Sequence, residues 1–66
     1  MAESDRAAEL SRLRHDLRTP LTIVIGFAEL LGTERPLADA DRREYAQRVL
    51  SAAGEIRSLI DGARLD

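Results

Sequence analysis

Large apolar residues return every seventh position along the first half of the chain, at Leu10, Leu17, Val24 and Leu31. Leu13 and Phe27 keep a companion row, with Pro20 between them. Such spacing gathers one apolar stripe on a helix that packs against other helices. The pattern predicts a first helix from about residue 5 to Leu31, capped by Ser4 or Asp5, with Glu9 in its early turns. Gly32 follows the last apolar position and is placed to end the helix in a left-handed conformation. Residues 32–38 form the connection, short and interrupted by Pro36, so the two helices should be antiparallel neighbours with Leu37 tucked under one end.

The second half repeats the pattern with spacings that alternate between three and four. Its inner row is Tyr45, Val49, Ala52 or Ala53, Ile56, Leu59 or Ile60, and Ala63. The polar side carries Arg43, Gln47, Ser51, Gly54, Arg57, Ser58 and Asp61. A start at Asp39 or Asp41 and an end near residue 64 are predicted. Asp41-Arg42-Arg43-Glu44 fits a capping box, with the acid at the cap and Glu44 three residues on. Both stripes are wide enough for two neighbours. The expected fold is therefore all-α: an antiparallel two-helix hairpin over residues 1–66 that pairs with a second copy as a four-helix bundle.

Size and composition favour the same outcome. A chain of 66 residues holds one domain at most, and one this small struggles to stabilise itself alone. With one Phe, one Tyr and no Trp, the core must be thin and aliphatic. There is no cysteine and only one histidine, so neither a disulfide nor a thiolate or multi-histidine metal site is available. All ten basic residues are arginine, set among twelve acids. The charges mix along the helices, which argues against a nucleic-acid footprint. The longest apolar run, Leu21 to Leu31, is interrupted by Thr22 and Glu29 and is too short to span a bilayer. No signal-peptide pattern opens the chain, and a cytoplasmic location is expected, with a parent protein that can still be membrane-anchored.

The single histidine stands off the stripe. Steps of three, four or seven from His15 meet Arg18, Thr19, Thr22, Gly26 and Glu29, none of them large and apolar. His15 should thus project from the wet side of a helix whose other side is buried. Pro20 has no N–H to offer the carbonyl of Asp16, and it pushes Thr19 away from helical geometry, so the helix is expected to bend near Pro20. An isolated surface histidine is usually no more than solvated.

The whole heptapeptide His15-Asp16-Leu17-Arg18-Thr19-Pro20-Leu21 says more. It resembles the H-box of sensor histidine kinases, in their dimerisation and phosphoacceptor (HisKA-type) domain. The resemblance continues through Thr22 to Leu31 and, more loosely, through the second half. It implies that the ε nitrogen of His15 takes the γ-phosphoryl group of ATP. Asp16 would then orient the ring through the δ nitrogen, although neighbouring helical residues do not ordinarily face each other. Thr19 would support loss of phosphate from the partner regulator, the alternative being a hydroxyl spent on its own helix backbone. Arg18 would steady a phosphoryl group or serve as a plain surface charge.

The resemblance also implies partners. A catalytic domain carrying ATP and magnesium must act on this segment, because no glycine-rich nucleotide loop is present here. No cofactor is expected in the chain itself, which should not be active alone. A response regulator receiver domain would take the phosphate on an aspartate. By position it would dock on Thr22, Gly26 and Phe27 of the first helix and Glu44, Tyr45 and Arg48 of the second, with core packing the stronger role for Phe27 and Tyr45. Two other classes fit the periodicity. One is a structural dimerisation hairpin without phosphotransfer. The other is a monomeric histidine phosphotransfer domain, which usually needs four helices where this chain has room for two.

Overall fold

The computed structural model describes residues 2–63. Two helices account for nearly all of them: α1, Ala2–Leu31, and α2, Asp39–Gly62. They pack against each other as an antiparallel hairpin 54 Å long and only 16 by 12 Å across. One face of each helix meets the other. From α1 come Leu13, Leu17, Pro20, Val24, Phe27 and Leu31; from α2 come Tyr45, Val49, Ala52, Ile56 and Leu59. Nearly all are half-buried. Only Pro20 and Ala52 are fully enclosed. Where the spacing left Ala52 or Ala53, and Leu59 or Ile60, the structure turns Ala52 and Leu59 inward. Phe27 and Tyr45 close the seam toward the connection, ring centroids 5.5 Å apart and planes tilted by 42°.

Several ends differ from the expected ones. The first helix begins at Ala2, upstream of Ser4 and Asp5. Ser4 and Asp5 therefore lie inside the helix instead of capping it. Glu3 and Asp5 fall in the first turn, where negative charge suits the helix dipole. Gly32 does not adopt the left-handed cap, since no glycine among the described residues has positive φ. The last turn tightens instead. The Gly32 N–H is shared between the carbonyls of Ala28 (3.0 Å) and Glu29 (3.2 Å), and the Thr33 N–H reaches Leu30.

The capping box at Asp41 is not formed either. α2 starts at Asp39, the earlier of the two expected positions, behind an extended Ala38 that supplies no side-chain cap. Arg42 takes over. Its N–H donates to the Ala38 carbonyl at 2.9 Å. Its guanidinium donates to Asp39 at 2.8 Å and to the Leu37 carbonyl at 3.4 Å, folding back over the helix entrance. Leu37 is half-buried under the end of the hairpin, as its position predicts.

Thr19 remains helical, and α1 runs through Pro20 without interruption. The expected departure from helical geometry is absent for a packing reason. Pro20 lies on the inner face, and enclosing its ring offsets the hydrogen bond that the Asp16 carbonyl forgoes. Thr22 adds a bond just beyond, its hydroxyl donating to the Arg18 carbonyl at 2.8 Å.

The hairpin leaves much apolar surface wet. Its accessible area is 5601 Å², against about 4,200 Å² for a compact folded chain of this mass. Leu10, Leu21, Ile23, Ile25, Leu30, Leu50 and Ile60 are all exposed. At about 100° per residue, Leu10, Leu21 and Ile25 share the side of α1 that adjoins Leu50 and Ile60 of α2. Ile23 lies on the opposite side, where it lines a shallow cleft with Arg48, Ser51 and Glu55. The hairpin thus has one largely apolar flank, bordered by Arg14 and Arg18 on the side toward His15, and one mixed flank.

Candidate functional site

His15 sits mid-helix in α1, one and a half turns before the buried proline. Its side chain is 88% exposed, because its position faces away from both α2 and the apolar flank. The δ nitrogen lies 3.3 Å from an oxygen of Asp16. This contact forms between sequence neighbours on an unbroken helix, so the side chains alone provide it and no backbone loosening is needed. At 3.3 Å the interaction is long for an N–H···O bond. With the proton on Nδ1, the ring donates to the carboxylate and Nε2 keeps its lone pair. Nε2 has no hydrogen-bond partner among the described residues.

Around the ring the charges are arranged asymmetrically. Asp16, itself 43% exposed, occupies one flank. On that side lies a groove of about 180 Å³ lined by Glu9, Arg12, Leu13, Asp16 and, from α2, Ser58 and Leu59. Arg18 and Arg14 occupy the other flank, where with Ser11 and His15 they line an open hollow of about 390 Å³. Arg14 and Ser11 are site neighbours that the H-box spacing does not point to. A check for cationic residues one position before and three after the histidine would have found the arginine pair. The hollow lies wholly on α1.

The remaining site residues divide between the surface and the seam. Thr19 is exposed one turn past His15 on the same face. The back-bond expected of a pre-proline threonine belongs instead to Thr22, whose hydroxyl is thereby spent. Gly26 is open: a Cβ built there would meet nothing within 4 Å. Phe27 and Tyr45 are occupied with each other. Arg48 stands 3.8 Å from Glu44, a loose exposed ion pair one turn apart. Among the described residues no group of three or more His, Cys, Asp or Glu side chains could hold a metal ion. No helix of the described residues is long and apolar enough to cross a membrane.

Comparison with known proteins agrees with this geometry. The family model of the His Kinase A (phospho-acceptor) domain matches residues 5–65. The sensor protein VanSC of Enterococcus gallinarum is 48% identical over 48 residues, which cover 73% of this chain and 13% of that protein. The cell-division control histidine kinase PdhS of Brucella ovis is 29% identical over 62 residues, 91% of this chain and 6% of that protein. PdhS of Brucella abortus matches to the same extent. The chain therefore spans a small part of the relatives it matches. No solved structure matches it. An exposed histidine at the centre of a two-helix hairpin, matched along nearly its whole length by that family model, places the chain in the His Kinase A phospho-acceptor domain family of sensor histidine kinases.

Proposed function

We propose that His15 is the phosphoacceptor and that the chain works as the relay point between a separate ATP-binding catalytic domain and a response regulator. The observation that carries this is the state of the ring. The imidazole is open to solvent, with Nδ1 turned to Asp16 and Nε2 unengaged. A neutral imidazole with a free ring lone pair is a competent nucleophile.

In the forward step Nε2 attacks the γ-phosphorus of ATP. The N–P bond forms, the bond to the bridging oxygen breaks, and ADP leaves with that electron pair. Asp16 holds the Nδ1 proton and offsets the positive charge that develops on the ring. The nucleotide and its magnesium are bound by the catalytic domain, which supplies the phosphate cradle that such transfer requires. In the second step a carboxylate oxygen of the receiver aspartate attacks phosphorus, the N–P bond breaks, and the neutral imidazole returns. Thr19, exposed on the same face as His15, positions a water for the reverse loss of phosphate from the regulator.

The largely apolar flank is the natural seat of a second copy. Leu10, Leu21, Ile25, Leu50 and Ile60 lie along it, and its partnering would form the four-helix bundle. The receiver would then use the mixed flank and the exposed surface below His15, where Thr22, Gly26, Glu44 and Arg48 are accessible. Phe27 and Tyr45 support that surface from within the seam.

The deciding experiment incubates the chain with a histidine kinase catalytic domain and γ-labelled ATP. Acid-labile, alkali-stable label is expected on the native chain and none on His15→Gln. Label of equal intensity on His15→Gln would remove His15 from the reaction. A native chain that forms dimers but never takes label would leave a purely structural dimerisation hairpin.

A further inference from the structure

The arginines of the two helices are not equivalent. Eight lie within α1 and α2: Arg6, Arg12, Arg14, Arg18, Arg42, Arg43, Arg48 and Arg57. Six of them have an acid three or four positions away, the spacing at which helical side chains meet. Arg12 uses Glu9, Arg42 uses Asp39 and Arg48 uses Glu44. Arg14 and Arg18 have none at that spacing and no ion-pair partner among the described residues. They stand four apart, where like charges repel. They are also the two that flank His15, and the hollow they line with Ser11 contains no acid. Asp16 lies on the other side of the ring, and the residues α2 brings toward it, Ser58 and Leu59, carry no charge.

From this we infer that Arg14, together with Arg18 and Ser11, forms an oxyanion cradle for the phosphoryl group once it is bonded to Nε2 of His15. The inference rests on His15 being the phosphoacceptor and adds a positioning residue to it. A phosphoryl group on Nε2 carries up to two negative charges at three oxygens. It would project into the hollow, away from the carboxylate that holds Nδ1. Two guanidinium groups and a hydroxyl, four and three positions apart on adjacent turns, can meet those oxygens from one side. The repulsion between the arginines in the unmodified chain then becomes shared attraction to one dianion. The bare helix is slightly strained electrostatically, and phosphorylation relieves it.

The test uses phosphoramidate, which phosphorylates histidine without any kinase. Nε2 attacks phosphorus, the P–N bond of the reagent breaks, and ammonia leaves with the proton the ring gives up. ³¹P NMR then follows the phosphoryl signal of the full chain against pH. Each guanidinium that faces the oxygens favours the dianion and lowers the pKa of the phosphoryl group. Arg14→Gln and Arg18→Gln are each expected to raise it by about 0.3–0.7 of a pH unit, the size of an exposed ion pair. The increments should shrink in 1 M salt. Arg14→Lys should restore most of the shift, and Arg43→Gln, with the same change in net charge at a distant site, should leave the titration unmoved.

A titration of Arg14→Gln that overlays the native one, with the N–P signal present in both, overturns the cradle and leaves the phosphoacceptor standing. An Arg14 spent on an acid of a second copy would give that result. Absence of any N–P signal from the native chain, while free histidine in the same tube is modified, would overturn the phosphoacceptor and the cradle together.

Discussion

The inner and outer apolar rows of this hairpin use similar residues and meet different fates. On the inner face, Leu13, Leu17, Val24 and Ile56 are half-buried and Ala52 is 4% exposed. On the apolar flank, Leu10, Leu21, Ile25, Leu50 and Ile60 remain largely in water, Leu50 at 67%. One helix can satisfy only one face of its neighbour, and two helices enclose almost nothing between them. The inner row therefore fixes the register of the hairpin, while most of its stability must come from covering the outer row. His15 belongs to neither row. Its position faces away from both, which is how a polar side chain stays exposed on a helix that packs on its other sides.

The largest effect is expected on the outer row. Leu21→Asp combined with Leu50→Asp should weaken self-association at least a hundredfold, since an unpaired charge forced into an interface costs about 3 kcal/mol or more. Light scattering across a concentration series would show it, together with falling helicity. Ile23→Asp, on the opposite flank, should leave the mass unchanged. Equal behaviour of the two variants would erase the distinction between the flanks.

On the inner row the expected change is smaller and of a different kind. Ala52→Leu overfills the one enclosed position of α2 and should cost about 1–3 kcal/mol, read as a lower midpoint in urea with the dimer mass retained. The smallest effect sharpens the account of the backbone. Gly54 lies mid-helix, where an added methyl group would meet nothing within 4 Å, and Gly32 has negative φ with only ordinary contacts to the carbonyls of Ala28 and Glu29. Gly54→Ala and Gly32→Ala should each stabilise the chain, by about 0.4–1 kcal/mol. Destabilisation by Gly32→Ala would mean that a left-handed cap forms after all.

Much of the architecture was legible in the order of residues. The seven-residue recurrence of Leu10, Leu17, Val24 and Leu31 specified α1, and the three-and-four spacing from Tyr45 to Leu59 specified the inner face of α2. The details that went astray lie at helix ends and at Thr19. Capping rules favoured Ser4, Asp41 and a left-handed Gly32, yet Ser4 lies inside α1, α2 starts at Asp39, and the turn at Gly32 tightens. Arg42 folds over one terminus, and a tightened turn closes the other. Such alternatives differ by about 1 kcal/mol, which a residue pattern does not resolve. Thr19 stayed helical because the ring after it is enclosed by α2, a neighbour distant in sequence.

At the site, the H-box carried the family resemblance, since histidine, acid, threonine and proline at fixed spacing belong to one continuous segment. The contact between Asp16 and Nδ1 was not secured by that spacing, because adjacent residues on a helix usually diverge; a particular pairing of side-chain rotamers makes it. The choice of Ala52 over Ala53 and Leu59 over Ile60 was likewise open. Neighbours in sequence lie about 100° apart on a helix, and both fall within a stripe broad enough to serve two partners. Periodicity, charge spacing and the heptapeptide from His15 to Leu21 were thus properties of the sequence alone. Which flank is bare, and which of Ala52 or Ala53 and of Leu59 or Ile60 turns inward, were decided only when α2 came to rest against α1, because those depend on what occupies the space across from each side chain.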